Sequence, residues 1–160
     1  MAGETITSFY AHDHDQLDGY FKNFQTLKRK NYPQAKENFK KFKSGLQRHI
    51  AWEEGILFPL FEEKTGMTDG GPTFVMRQEH REIEKTLEAL HKKVQRQDPE
   101  SDLEEKLLLN ILGEHNFKEE GILYPAIDEH TSPEERSKVF ETMQKMPEEI
   151  YKSCCDVSMD

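Results

Sequence analysis

The sequence predicts an all-α protein, an up-down-up-down four-helix bundle followed by a short C-terminal fifth helix. Three observations carry that expectation. Val, Ile and Thr are sparse beside Glu, Lys and Leu, which helices prefer. Apolar residues recur at helical spacing in four long segments separated by breaks bearing proline or glycine. The text also repeats itself. HIAWEEGILFPLFEE from His49 and HNFKEEGILYPAIDE from His115 share H-x-x-x-E-E-G-I-L-[FY]-P at an offset of 66 residues. A weaker echo at the same offset pairs DHDQLDGYF around His14 with EHREIEKTL around His80. A repeat at fixed period is one supersecondary unit used twice.

The elements follow in order. The first helix is expected from about Ser8 to Lys30, with Phe9, Leu17, Phe21, Phe24 and Leu27 on one buried stripe. The second begins at Tyr32-Pro33, where proline suits a first turn, and runs to about Lys64 with Gly66 as its stop. The third opens after Gly70-Gly71-Pro72 and ends near Gln97, ahead of Asp98-Pro99. The fourth runs from about Ser101 to His130. Ser132-Pro133-Glu134-Glu135 places a cap, a proline and two acids at the start of the fifth helix, which breaks near Pro147. The tail, SCCDVSMD, is expected to fray. Short connections force sequential helices antiparallel. Residues 1–160 read as one domain, with the bundle over about 8–130 and an extension over 131–160.

Composition narrows the partners. Charged residues make up 33% and apolar ones 34% of the 160, which suits a bundle with solvated outer faces. A net charge of −9 argues against nucleic acid and against an anionic membrane, both of which need a cationic footprint. No stretch approaches the roughly 20 apolar residues of a membrane span. No basic region leads into an apolar N-terminal run, so no signal peptide is expected. Cys154 and Cys155 are neighbours and offer no disulfide framework, which points to a reducing, cytoplasmic setting.

The chemistry lies in the repeat. Positions four apart share one helix face, so His49 and Glu53 point together, as do His115 and Glu119. Leu46, Ile50, Leu57 and Leu60 share the sector of His49. Leu108, Ile111, Leu112, Ile122 and Leu123 share that of His115, so both polar pairs sit on apolar stripes. Approximate two-fold symmetry brings His14, His49, Glu53, His80, His115 and Glu119 to one level of the interior. Two glutamates there cost several kcal/mol each unless a partner compensates them. No lysine or arginine lies on those faces, and bound cations solve the problem. Imidazole with carboxylate suits iron, manganese or zinc, and no cysteine points to a thiolate site. Four histidines and two bridging carboxylates give two ions about four protein bonds each; an oxo or hydroxo bridge leaves an octahedral ion one open position.

Several residues keep more than one reading. Glu54 and Glu120 fall about 140° round from their histidines, as outer-face residues or acids behind the ligands. Glu84 and Asp18, one turn after His80 and His14, could be further ligands, acceptors orienting an imidazole, or surface acids. His12 competes with His14, and the repeat favours His14. His91 reads as a cap to the bundle interior or a surface residue, His130 as a partner of terminal carbonyls, and Trp52 as core. The matched Gly55/Gly121 and Pro59/Pro125 signal close helix approach and a bend, or simple inheritance from the duplication.

An N-terminal histidine, HxxxEE-x-x-LFP, a third histidine in E-H and a second HxxxEE resemble the hemerythrin-like, or HHE cation-binding, domain over about residues 8–130. The resemblance implies a hemerythrin-like four-helix bundle holding a non-haem di-iron centre that takes a small diatomic ligand. Carried over by position, it makes His14, His49, Glu53, His80, His115 and Glu119 the ligands of the four-His, two-Glu version. That version is similar to di-iron proteins implicated in nitric oxide response and iron–sulfur repair. Oxygen carriers of the family instead have HxxxH on the third helix and a late aspartate on the fourth, where this chain has His80-x-x-x-Glu84 and Glu119. The expected function is therefore binding, sensing or detoxification of O2, NO or peroxide. A di-iron oxidase or peroxidase and a metal-storage module are the alternatives, and the sequence does not decide whether the protein is an enzyme. Oligomeric state is not written in the chain.

Overall fold

The computed structural model describes residues 4–152, so Cys154, Cys155 and the tail expected to fray lie outside the described residues. Helix α1 spans Ile6–Leu27, α2 Tyr32–Trp52, α3 Phe58–Thr65, α4 Pro72–Gln95, α5 Asp102–Lys118 and α6 Tyr124–His130. A π-turn, Glu53–Leu57, joins α2 to α3, and a second, Glu119–Leu123, joins α5 to α6. Helix α7, Pro133–Gln144, is the expected fifth helix, and α8, Glu148–Lys152, follows Pro147. No strand occurs among the described residues. The four long helical passages of the sequence are thus α1, α2–α3, α4 and α5–α6, with α1 packed on α2 and α4 on α5 as two hairpins.

Local chemistry sets the boundaries. Thr5 and Ser8 form a capping box at α1, Ser132 and Glu135 another at α7, and Asn31 caps α2. Gly66 takes a left-handed φ of 73° to end α3, as its position predicted. The Asp128 carboxylate accepts from the backbone N–H groups of Ile6 and Thr7 at 2.7 and 3.1 Å, which ties the start of α1 to α6.

The matched glycines and prolines produce π-turns, where the sequence suggested a bend. Pro59 and Pro125 have no N–H to give, and each ring would meet the carbonyl four residues back, at Gly55 and Gly121. The ladder slips instead: Phe58 N–H bonds the Glu53 carbonyl and Tyr124 N–H that of Glu119, five residues back. The slip shifts the phase of everything after it. Ile122, expected on the sector of His115, is 65% exposed for that reason, while Leu123 and Tyr124 turn inward.

The core has two apolar layers. Leu17, Phe21, Phe39, Phe42, Leu46, Ile83, Leu87 and Leu112 belong to one, and Tyr10, Trp52, Leu57, Phe58, Met76, Leu123 and Tyr124 to the other. Along α1 the order Tyr10, His14, Leu17 shows that the predicted histidine level lies between them.

Two further polar groups are buried away from that level. Lys43 of α2 bonds Nδ1 of His91 on α4 at 2.6 Å, with Glu88 3.6 Å from the same ammonium. His91 is therefore a buried bridge between helices and neither a cap nor a surface residue. Lys28, at the C-terminal cap of α1, is held by Asp102 and by Glu105, itself buried on α5. Removing one member of a buried pair leaves the other charge uncompensated. Lys28→Ala is expected to cost about 3–5 kcal/mol in chemical denaturation, whereas Lys28→Met with Glu105→Leu should recover most of that loss.

Candidate metal centre

The structure brings all six residues of the doubled motif together. His14, His49, His80 and His115 are at most 4% exposed, and Glu53 and Glu119 are completely buried. Donor atoms of Glu53, His80, His115 and Glu119 lie within 4.8 Å of one another, as do those of His14, His49 and Glu119. Each Nε2 faces inward. That of His80 stands 3.0 Å from Glu53 Oε1, that of His115 3.2 Å from Glu119 Oε2, and that of His14 3.4 Å from Glu119 Oε1. His49 Nε2 is 3.6 Å from Glu53 Oε2.

Each Nδ1 faces outward to an acid. His14 pairs with Glu120 at 2.8 Å and His80 with Glu54 at 2.6 Å, so the second glutamates of the motif are the acids behind the ligand set. His49 pairs with Asp13 at 2.7 Å and His115 with Glu79 at 2.8 Å. A carboxylate on one ring nitrogen fixes the ring's orientation and raises the basicity of the other. Asp13 and Glu79 are 66 residues apart and immediately precede His14 and His80. Sequence reading looked one turn after those histidines and missed them. The signal was the acid-histidine dipeptide at both echo positions, reaching across to the neighbouring helix. Asp18 is exposed and Glu84 lies outside the cluster, 3.5 Å from Arg81. His12 is exposed, and His130 bonds the Ala126 carbonyl at 2.8 Å.

Sequence reading also missed Tyr124. In an unbroken α-helix it would lie about 140° round from Glu119; the π-turn returns it to the same face. Its Oη stands 2.6 Å from Glu53 Oε2, 2.8 Å from Glu119 Oε1 and 3.2 Å from His49 Nε2.

The electrostatics are those of a cation site. Burial opposes charge on the His49 ring, yet Glu53 and Asp13 overcome it and push its pKa up to about 10. His80, against the same opposition, is pushed up to about 9 by Glu53 and Glu54. Burial works to raise Glu53 as well, but the imidazoles hold it well below the ordinary carboxylate range. Desolvation drives the Tyr124 phenol well upward, reinforced by Glu119 and Glu53. Of the ten buried side-chain atoms that make no hydrogen bond among the described residues, two belong to the site, His14 Nε2 and Glu119 Oε2, and both face the interior. A cation bound among the imidazoles and carboxylates would satisfy both. Nitrogen and carboxylate donors in this mixture suit iron, zinc or manganese.

A groove of about 630 Å³ between α1 and α5 leads in from the surface. It shares His14, Asp18, Leu112 and Asn116 with the interior space that the donors enclose, which is only about 10 Å³.

Four helical passages closing on a buried set of imidazoles and carboxylates define a cation-binding helical bundle. The Hemerythrin HHE cation binding domain matches residues 5–127, and the chain belongs to that family. No curated protein and no solved structure matches it significantly. No helix of the described residues is long and apolar enough to cross a membrane.

Two outcomes follow from this arrangement. Asp13→Asn and Glu79→Gln should each weaken metal affinity about 10- to 100-fold while leaving the fold intact, as read by competition with a chelator. Protein stripped by a chelator keeps His49 and His80 protonated at pH 7, so metal loading in weak buffer should release protons and tighten as the pH rises. Because both pKa values lie above the ordinary 6.5, the stability these rings give the stripped protein is complete below that pH and lost as the pH climbs through about 9 to 10.

Proposed function

We propose that this protein is a non-haem di-iron protein that binds a small diatomic ligand or peroxide, in the sensing or detoxification of O2 or NO. The observation that carries the reading is the doubled donor set, four inward Nε2 atoms and two buried carboxylates, with His14 Nε2 and Glu119 Oε2 making no hydrogen bond. His14 and His49 would hold one ion and His80 and His115 the other, with Glu53 and Glu119 between them. A pair of irons there would supply open coordination positions and electrons to a molecule of two or three atoms.

The chain's own residues favour a ligand of that size. The interior space is on the scale of single ions and few-atom molecules, and Leu17, Leu46, Ile83 and Leu112 wall it from above. The groove between α1 and α5 gives small molecules a path past Asp18 and Asn116 to His14. Apolar layers on both sides keep bulk water from the carboxylates, which strengthens their hold on cations.

Loading the stripped protein anaerobically with ferrous iron is expected to give about two irons per chain by metal analysis. Subsequent exposure to air, nitric oxide or azide should change its visible spectrum. An iron-loaded protein with a spectrum inert to all three would overturn the reading, and about one zinc per chain in protein purified without added metal would point to a structural ion instead.

A further inference from the structure

The two halves of the chain match so closely that a difference between them at the centre is informative. Phe58 and Tyr124 are 66 residues apart and each follows a π-turn. The Phe58 ring stacks on His80, with centroids 5.7 Å apart and planes 11° apart. The Tyr124 ring lies 5.9 Å from that of His14 at 31°. Both rings therefore pack on an imidazole of the site, and the phenol oxygen is what distinguishes them.

That oxygen stands where a donor would. Tyr124 is completely buried, and its Oη is within 3.2 Å of one atom each from Glu53, Glu119 and His49. A phenol has one proton and donates it to one acceptor at a time. Only one of the contacts at 2.6 and 2.8 Å can therefore use the Tyr124 proton, and the other sets two oxygens against each other. A cation among the three oxygens removes that conflict and uses all of them.

We infer that Tyr124 is a seventh protein donor of the metal centre, its phenolate oxygen binding beside Glu53, Glu119 and His49. On coordination the Tyr124 O–H bond breaks, its proton leaves to solvent, and an oxygen–metal bond forms with no change of oxidation state. Phe58 offers the other half no such donor, so the two ions are held by different sets. The inference rests on the di-iron reading above.

A phenolate bound to ferric iron gives a charge-transfer band in the visible, which a phenol that merely orients the carboxylates does not. The test is the absorption and resonance Raman spectrum of the full chain loaded with ferric iron, with Tyr124→Phe and Tyr10→Phe beside it. Tyr10 is the control: its ring lies 4.9 Å from that of Tyr124, but its hydroxyl meets Met143 Sδ at 3.5 Å. The band is expected in wild type and in Tyr10→Phe, and should vanish in Tyr124→Phe at equal iron content. Its Raman lines should shift when the tyrosines are ring-deuterated, a measurement on wild type that decides the matter even where a variant fails to fold. An iron-loaded wild type without the band, or a band that survives Tyr124→Phe, overturns the inference. Failure to take up iron at all overturns the di-iron reading instead, and metal analysis tells the two apart.

Discussion

Two carboxylates without exposed surface, Glu53 and Glu119, lie between two apolar layers, and the rest of the structure is arranged around making that tolerable. A charge taken that far from water costs several kcal/mol even after relaxation. The compensation runs outward in alternating sign. Glu53 meets His80, which meets Glu54, which meets Arg81 at the surface. Glu119 meets His115, then Glu79, then Lys118. Through His49 the sequence is Asp13 and Arg48. These three lines end in a cation that water can reach, while the fourth, through His14, ends at the part-exposed carboxylate of Glu120.

The backbone supports this balance at two points that defy ordinary helix rules. Proline inside a helix removes a hydrogen bond and crowds the turn before it. Here it does so twice, each time behind a glycine, and the resulting π-turn adds one residue of rotation directly below the acidic pair. That rotation carries Tyr124 under the charged level, keeps Leu57 and Leu123 there, and throws Ile122 out to solvent. The layer beneath the site is therefore built by a defect in the ladder. π-turns inside helices often sit at functional sites, and this pair shows a physical reason: they aim side chains that a regular helix would point elsewhere.

Much of this was legible in the chain. The helices and their stops followed from periodicity, caps and the Gly66 and Pro72 punctuation, four of the six inward side chains from a doubled His-x-x-x-Glu on apolar stripes, and His14 and His80 from the weaker echo at the same offset. What escaped had two causes. Asp13 and Glu79 act across the gap between helices, and a reading by turns along one helix does not see a partner on the next. Tyr124 and Ile122 depend on the hydrogen-bond register after a proline, and a count at 100° per residue assigns both to the wrong face. Once Pro59 and Pro125 are known to shift that register, the same count puts them right.

The Lys43–His91–Glu88 bridge has a consequence of its own. Under the internal symmetry, the seam between α2 and α4 is the mate of the seam between α1 and α5. The residues 66 positions away from Lys43, His91 and Glu88 are Leu109, Gln25 and Lys22, and all three line the groove. One seam is stitched by an ammonium and an imidazole, while in its twin Gln25 reaches over to Glu105 at 3.1 Å and a groove stays open beside that bond. The doubled polypeptide is thereby unequal at its two matching seams, and among the described residues the wide groove beside His14 lies on only one of them.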